Sequence, residues 1–197
     1  MEQRFVHLRV HTEFSLVDGL VRVKPLMKAL PSRGMCAIAV TDYCNLFAAV
    51  KLFKSAVDSG IKPIIGSDLP CHDPQQPERV SSLVLLCMNA EGYKNLTCLV
   101  SKAYQEGQYQ GQPRVQNLWI EEYASGLIAL SGGKFGDIGQ ALLANDIELA
   151  KSRARHWQAL FPNRFYLEIQ RTGRPDESQY NEQLIALADE LQQRYGL

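Results

Sequence analysis

The sequence has no C-x-x-C pair, no apolar run of membrane-spanning length, no surplus of charge and no glycine-rich nucleotide fingerprint after its first apolar segment. Each absence narrows the function. The five cysteines, Cys36, Cys44, Cys71, Cys87 and Cys98, are scattered and odd in number. That pattern argues against a structural zinc site and for reduced packing residues of a cytosolic protein. No stretch approaches the roughly 18 consecutive apolar residues of a membrane span, and MEQRFVHLRV lacks the apolar core of a signal peptide. A cytoplasmic location with no membrane partner is therefore expected, and the Asn95-Leu96-Thr97 glycosylation match carries no weight. Lys plus Arg and Asp plus Glu both total 21. A balanced chain does not grip duplex DNA by neutralising many phosphates, so any DNA is expected to be held by other regions.

What is present suits one folded domain: 197 residues, 46% hydrophobic and 21% charged. Apolar alternation in RFVHLRV predicts a first strand ending at a loop around His11. A helix is predicted from near Pro25 to Gly34, then a buried strand CAIAV (Cys36 to Val40). In the next segment Leu46, Val50, Phe53 and Val57 recur at helical spacing, which predicts a helix burying that stripe and closed by Gly60. Strands KPIIG, SLVLLCM, GLIAL and FYLEI follow, separated by helices and loops; the last helix carries Leu184, Leu187, Leu191 and Tyr195 on one face. Alternation of this kind predicts parallel pairing and a barrel-like βα arrangement rather than an open dinucleotide sheet. The chain stops at LQQRYGL after a helix that would lead into another strand, so it reads as a fragment of a barrel not yet closed.

In such a barrel the active site lies at the C-terminal strand ends, where His11, Asp42, Asp68 and SGGKFGDIG (Ser131 to Gly139) are expected. In HLRVHTEFSLVDG, His7 and His11 bracket a strand end, but the spacing useful for a metal there is His-x-His, and residue 9 is Arg. A guanidinium has no lone pair, repels a divalent cation and bridges carboxylates such as Asp18 or Asp68. The residues thus favour a salt-bridged polar core over a bound metal cluster. Asp42 is a candidate base or ligand, with a helix cap the simpler role. Asp68 alone offers only weak magnesium-type binding. His72-Asp73 reads as a solvated turn. The SGGKFGDIG glycines suit an anion cradle or, more simply, a tight turn, and RTGRPDE (Arg171 to Glu177) suits phosphate recognition or a local ion-pair network.

Six segments in order, HLRVHTEFSLVDG, AIAVTDYCNLFAAVKLF, GIKPIIGSDL, LVLLCMNAEGYKNLTCLVSKAY, GLIALSGGKFGDIG and RFYLEIQRTGRPDE, resemble the N-terminal PHP (polymerase and histidinol phosphatase) domain of bacterial replicative DNA polymerase III alpha subunits. The resemblance covers essentially residues 1–197 as one PHP domain, a fragment of a longer polymerase chain. It implies an α/β fold: a distorted seven-stranded βα barrel with a metal cleft at the C-terminal strand ends, lacking its last strand here. Compared with the family's metal-binding pattern, His11 and Asp18 are retained and Asp68 stands where a Glu is usual. Arg9 and Tyr43 replace ligand histidines, Ser82 falls where another His would be, and Gly133 replaces a Cys. The final Asp-x-His strand would lie beyond Leu197.

The resemblance therefore implies vestigial ligand positions, no metal or other cofactor in this segment and no catalytic residues in it. The parent chain would be an Mg2+-dependent DNA-directed DNA polymerase acting in DNA replication. This domain would act as a scaffold against the rest of that chain and dock the 3′→5′ proofreading exonuclease subunit; exposed apolar side chains around Tyr104 to Tyr109 or Trp119 to Tyr123 are candidates for that contact, or equally for packing against the rest of the polymerase. The competing reading is a metal-dependent PHP phosphoesterase, either an exonuclease or a pyrophosphatase. A free-standing phosphatase of small metabolites fits NAEGYKNL and RTGRPDE less well.

Overall fold

The computed structural model describes residues 5–16, 18–72, 78–173, 177–192 and the backbone of 195–196. Val23, Met27 and Leu30 fall on one face of α1 (Val23–Ser32) and are buried. Gly34, at φ 68°, takes the left-handed turn that ends the helix, in open space where only the backbone angle selects glycine. The continuously apolar β1 (Ala37–Val40) is buried at all four positions, as a strand covered on both faces must be. It leads to α2 (Ala49–Asp58) and then to β2 (Lys62–His72), parallel to β1.

At β2 the structure departs from the uniform parallel pattern expected. β2, eleven residues long, continues past Gly66 to His72, and β3 (Val80–Cys87) returns antiparallel to it from Gly66↔Leu86 to His72↔Val80. No helix intervenes among the described residues; a hairpin needs no crossover, so the pairing reverses. After α3 (Ala90–Gln105), the polar connection forms a small ladder, β4 (Gln108–Tyr109) with β5 (Gln112–Pro113). β6 (Val115–Gln116) and α4 (Asn117–Glu122) follow, with β6 parallel to the end of β2. β7 (Leu127–Leu130) lies antiparallel to β3. α5 (Asp137–Leu143) and α6 (Ile147–Leu160) then lead to β8 (Phe165–Glu168), and α7 (Glu177–Glu190) to β9 (Tyr195–Gly196). The sheet order is β1-β2-β3-β7-β8-β9, with β6 beside β2. The result is a curled half-barrel, consistent with a partial βα barrel.

The expected first strand is only half realised. Ala39 N donates to His7 O and Thr41 N to Val10 O, so residues 7–10 run beside β1. Val10 N, however, donates to the Thr41 side chain at 3.0 Å, and a hydroxyl in place of a carbonyl breaks the ladder. The main core packs Leu69, Leu85, Leu96, Leu99, Trp157 and Phe165 between the sheet and its helices. A smaller apolar cluster, including Val84, Leu86, Leu130 and Ile64, lines the inside of the curl.

The stripe expected to be the inner face of α2 is instead largely its outer face. Val50, Phe53 and Val57 are 66, 54 and 57% exposed, while Ala49, Leu52 and Ala56 are buried. Small residues at 49 and 56 let the helix approach α1 and β2 closely, which leaves no room there for larger side chains. Only Leu46 of the expected stripe packs against the core.

Candidate functional site

The curl opens into a cleft of about 1120 Å3 that reaches Arg9, His11 and Glu168. Its polar centre is assembled from strand ends. Asp68 lies on β2 just past the point where β1 stops, and Ser82 lies on β3 two residues from Val84, the partner of Asp68, so both side chains share one face. Glu168 is the last residue of β8. Into this ring the irregular segment 7–10 places Arg9. Its Nε is 3.1 Å from Asp68 Oδ2, Nη2 also donates to that oxygen, and Nη1 lies 3.1 and 3.3 Å from the two Glu168 oxygens. Ser82 Oγ accepts from Arg9 Nη2 at 3.1 Å and donates to Asp68 Oδ1. All three guanidinium nitrogens are engaged.

His11 extends the network outward, its Nε2 3.1 Å from Asp68 Oδ2 and its Nδ1 2.9 Å from Asp18 Oδ2. A carboxylate at each ring nitrogen favours the doubly protonated imidazolium. Burial by itself would lower the His11 pKa, but the hydrogen bond and charge of Asp68, aided by Asp18, raise it. For Asp68, burial works toward a higher pKa, and the His11 hydrogen bond, the Arg9 charge and the Ser82 hydrogen bond together bring it below the usual value. Burial likewise opposes the charge on Arg9, yet Asp68 and Glu168 hold the guanidinium protonated.

These shifts predict a pH window. Asp68, with a depressed folded pKa, stabilises the fold above its unfolded value of 3.8 and loses that contribution as pH falls through the folded value. His11, with a raised folded pKa, stabilises fully below 6.5 and loses its contribution as pH rises through the folded value. The melting temperature should thus fall on the alkaline side of the window, and His11→Gln should flatten that limb and also shrink the acid limb, because His11 helps to hold the Asp68 pKa down. Calorimetric melting from pH 4 to 9 measures both limbs.

The remaining candidates separate into those that join the cluster and those that do not. Tyr43 bridges Asp68 through its backbone, while its half-exposed phenol is pushed up to about 12 by burial and then by Asp68. Gly133, at φ 59°, sits against Gln170: a Cβ there would be 2.9 Å from Gln170 Cδ, and the Gln170 amide donates to Glu168 Oε1 at 2.6 Å. The space beside residue 133 is therefore taken by an amide that belongs to the polar cluster. Asp42 is not a helix cap, since α2 has no side-chain cap. Its buried carboxylate instead accepts from Thr12 N at 2.6 Å, Thr12 Oγ1 at 2.8 Å and Ser15 Oγ at 2.7 Å, tying the loop after Arg9 to the end of β1.

His72, expected in a solvated turn, is buried at the end of β2 because the strand runs on to it; Asp73 lies outside the described residues. SGGKFGDIG forms a 3-10 turn over Gly133–Phe135 running into α5. In RTGRPDE, Glu177 accepts from Thr172 N at 2.7 Å and Gly173 N at 2.9 Å, a turn lock made with backbone amides; Arg174 and Asp176 lie outside the described residues. Trp119 is 8% exposed beneath Lys102 and Ile120 is buried, so the large apolar side chains there face inward, while Glu121 and Glu122 are exposed. Tyr104 is exposed as expected.

The sequence reading missed Glu168 and Gln170. The available signal was the carboxylate in FYLEI, the one charged residue of an otherwise apolar segment, whose burial requires a partner such as Arg9.

The donor set does not fit a divalent metal cluster. The point between Asp68 and Glu168 is filled by a guanidinium, which supplies the positive charge and has no electron pair to give. Among the described residues, no group of three or more His, Cys, Asp or Glu side chains is placed to hold a metal ion.

The PHP domain family matches residues 7–172. The chain belongs to the PHP domain family. It is 49% identical over 191 residues to the DNA polymerase III subunit alpha of Pseudomonas fluorescens, an alignment covering 97% of this chain and 16% of the relative. The corresponding subunit of Escherichia coli K12 is 42% identical over 188 residues, 95% of this chain and 16% of that one. The chain thus spans about a sixth of the length of these relatives. In fold, the PHP domain described here is similar to an amidohydrolase from Chromobacterium violaceum, with a TM-score of 0.66 at 12% identity covering 96% of this chain and 84% of that one. A candidate metal-dependent phosphoesterase from Bifidobacterium adolescentis gives 0.62 at 10% identity, covering 96% and 85%. Among the described residues of this PHP domain no helix is long and apolar enough to cross a membrane.

Proposed function

We propose that this PHP domain is a non-catalytic scaffold within a replicative DNA polymerase chain, and that it docks the chain's 3′→5′ proofreading exonuclease subunit. The observation that carries the non-catalytic reading is the Arg9 guanidinium seated between Asp68 and Glu168. Hydrolysis of a phosphodiester by the metal-dependent route needs a cation to activate water and neutralise the developing charge. Here the fixed cation has every nitrogen committed to the protein. The two carboxylates are retained as the anchor for a positively charged side chain that holds the first segment against β2 and β8.

For docking, the outer face of α2 is a better surface than the segments expected from sequence. Val50, Phe53 and Val57 form a strip along about two turns of α2, with Phe47 exposed just before the helix, and an exposed apolar strip of this kind marks an interface. The purified protein is expected to carry no stoichiometric zinc or manganese by mass spectrometry, to give no binding heat with either, and to bind the exonuclease subunit. Phe47→Asp with Phe53→Asp should weaken that complex by about tenfold or more. Tight stoichiometric metal would favour the phosphoesterase reading, and an unaltered complex would move the interface off α2.

A further inference from the structure

The balanced total charge of the chain hides an uneven distribution. Residues 19–62, described without a gap, carry seven Lys and Arg against two carboxylates, Asp42 and Asp58. Asp42 is buried and spent on Thr12 and Ser15, so Asp58 is the one carboxylate that this stretch presents to solvent.

Four of the cations stand on α1 and α2, two helices that pack against each other over β1. Lys24 and Lys28 are four residues apart and share an exposed side of α1. On α2, Val50, Phe53, Lys54 and Val57 fall at i, i+3, i+4 and i+7, which sets a cation into the edge of the apolar strip. Lys51 is committed to Glu13 at 2.7 Å. Lys24, Lys28 and Lys54 have no carboxylate partner among the described residues.

We propose that this face receives an acidic amphipathic segment of its protein partner, with apolar side chains on Val50, Phe53 and Val57 and carboxylates toward Lys24, Lys28 and Lys54. The inference rests on the docking reading above and adds the chemistry of the segment that docks. Opposite charge around an apolar patch speeds encounter and fixes register, while the apolar contacts set the residence time. A segment bearing Lys or Arg at those positions meets like charge and is rejected. Duplex DNA fits less well: three lysines neutralise few phosphates, and the apolar strip beside them adds nothing to a phosphate contact.

The test is surface plasmon resonance of the exonuclease subunit on the purified protein. Lys28→Glu with Lys54→Glu should slow association by about tenfold and leave dissociation nearly unchanged, and association on the unmodified protein should slow as salt is raised past about 0.15 M. Arg155→Glu with Arg171→Glu, exposed on α6 and just after β8, makes the same change of net charge and should leave both rates in place. Phe53→Asp should act chiefly on dissociation. Binding that Phe53→Asp disrupts, but that salt and the lysine pair leave untouched, overturns the acidic segment and keeps the docking face. Equal effects of the two charge-reversed pairs overturn it too, since net charge alone then accounts for them. Lysine-dependent binding of duplex DNA, tighter than that of the exonuclease subunit, assigns the face to nucleic acid and overturns the proposal. No binding at all, or binding indifferent to Phe53→Asp, removes the docking reading and this inference with it.

Discussion

Arg9→Met is expected to destabilise the domain by about 3–5 kcal/mol, the usual cost of removing one partner from a buried ion-pair network. For a domain of this size that is a fall in melting temperature of roughly 6–20 °C. The cost comes from what is left behind. Asp68 and Glu168 are almost fully buried, and without the guanidinium they face each other's charge with only His11, Ser82 and Gln170 to answer it. Two consequences separate this account from simple loss of packing. Adding Asp68→Asn and Glu168→Gln to Arg9→Met should recover most of the lost stability, because the charges that needed Arg9 are then gone. Arg9→Met alone should also gain thermal stability from millimolar manganese or zinc, since a cation can now enter between the carboxylates, whereas the wild-type chain should be indifferent. A melting series on the three proteins, with and without metal, gives all four comparisons. An Arg9→Met protein as stable as wild type would remove the guanidinium from its central role.

Asp42→Ala should cost a similar amount, about 3–5 kcal/mol, although it lies outside the Arg9 ion pairs. Each hydrogen bond to an ionised carboxylate contributes about 1.5–3 kcal/mol, and Asp42 accepts from Thr12 N, Thr12 Oγ1 and Ser15 Oγ. Alanine leaves the buried Thr12 amide with no acceptor. Asp42→Asn should fall between, because its amide oxygen still accepts while its amide nitrogen meets a donor. Urea unfolding ranks the three proteins. Limited proteolysis adds a local readout: Leu16 and Leu20 are 80 and 94% exposed, so a loop freed from Asp42 should be cut there before the rest of the domain opens.

How much of this was legible in the sequence differs residue by residue. Arg9 was readable because a cation standing where a lone pair is needed contradicts metal binding whatever the surrounding fold. Asp68 and Ser82 were placed by motif position, and the structure brings both to the Arg9 side chain. Glu168 was hidden by its strand: FYLEI announces a buried segment and gives no indication that the buried end points at a residue 159 positions earlier. The α2 error had another source. Helical periodicity identifies a stripe but not its partner, and here the small residues Ala49 and Ala56 claimed the packed side. Asp42 followed the local cap rule in sequence and broke it in space, because Thr12 and Ser15 from the preceding loop reached its oxygens first. The β2–β3 reversal was missed because alternating strands and helices were read as crossovers throughout, although the sequence between these two strands, with its two prolines, carries no helical pattern.

The sequence separation between Arg9 and Glu168 also governs the order in which a nascent chain becomes structured. At about 5–20 residues per second, the ribosome releases Glu168 roughly 8–30 s after Arg9 has been made. Once Asp68 and Ser82 have followed, the opening segment has both as polar partners but still lacks the second carboxylate. The amino-terminal segment is therefore among the last pieces secured, its hold on the sheet completed only when β8 has emerged.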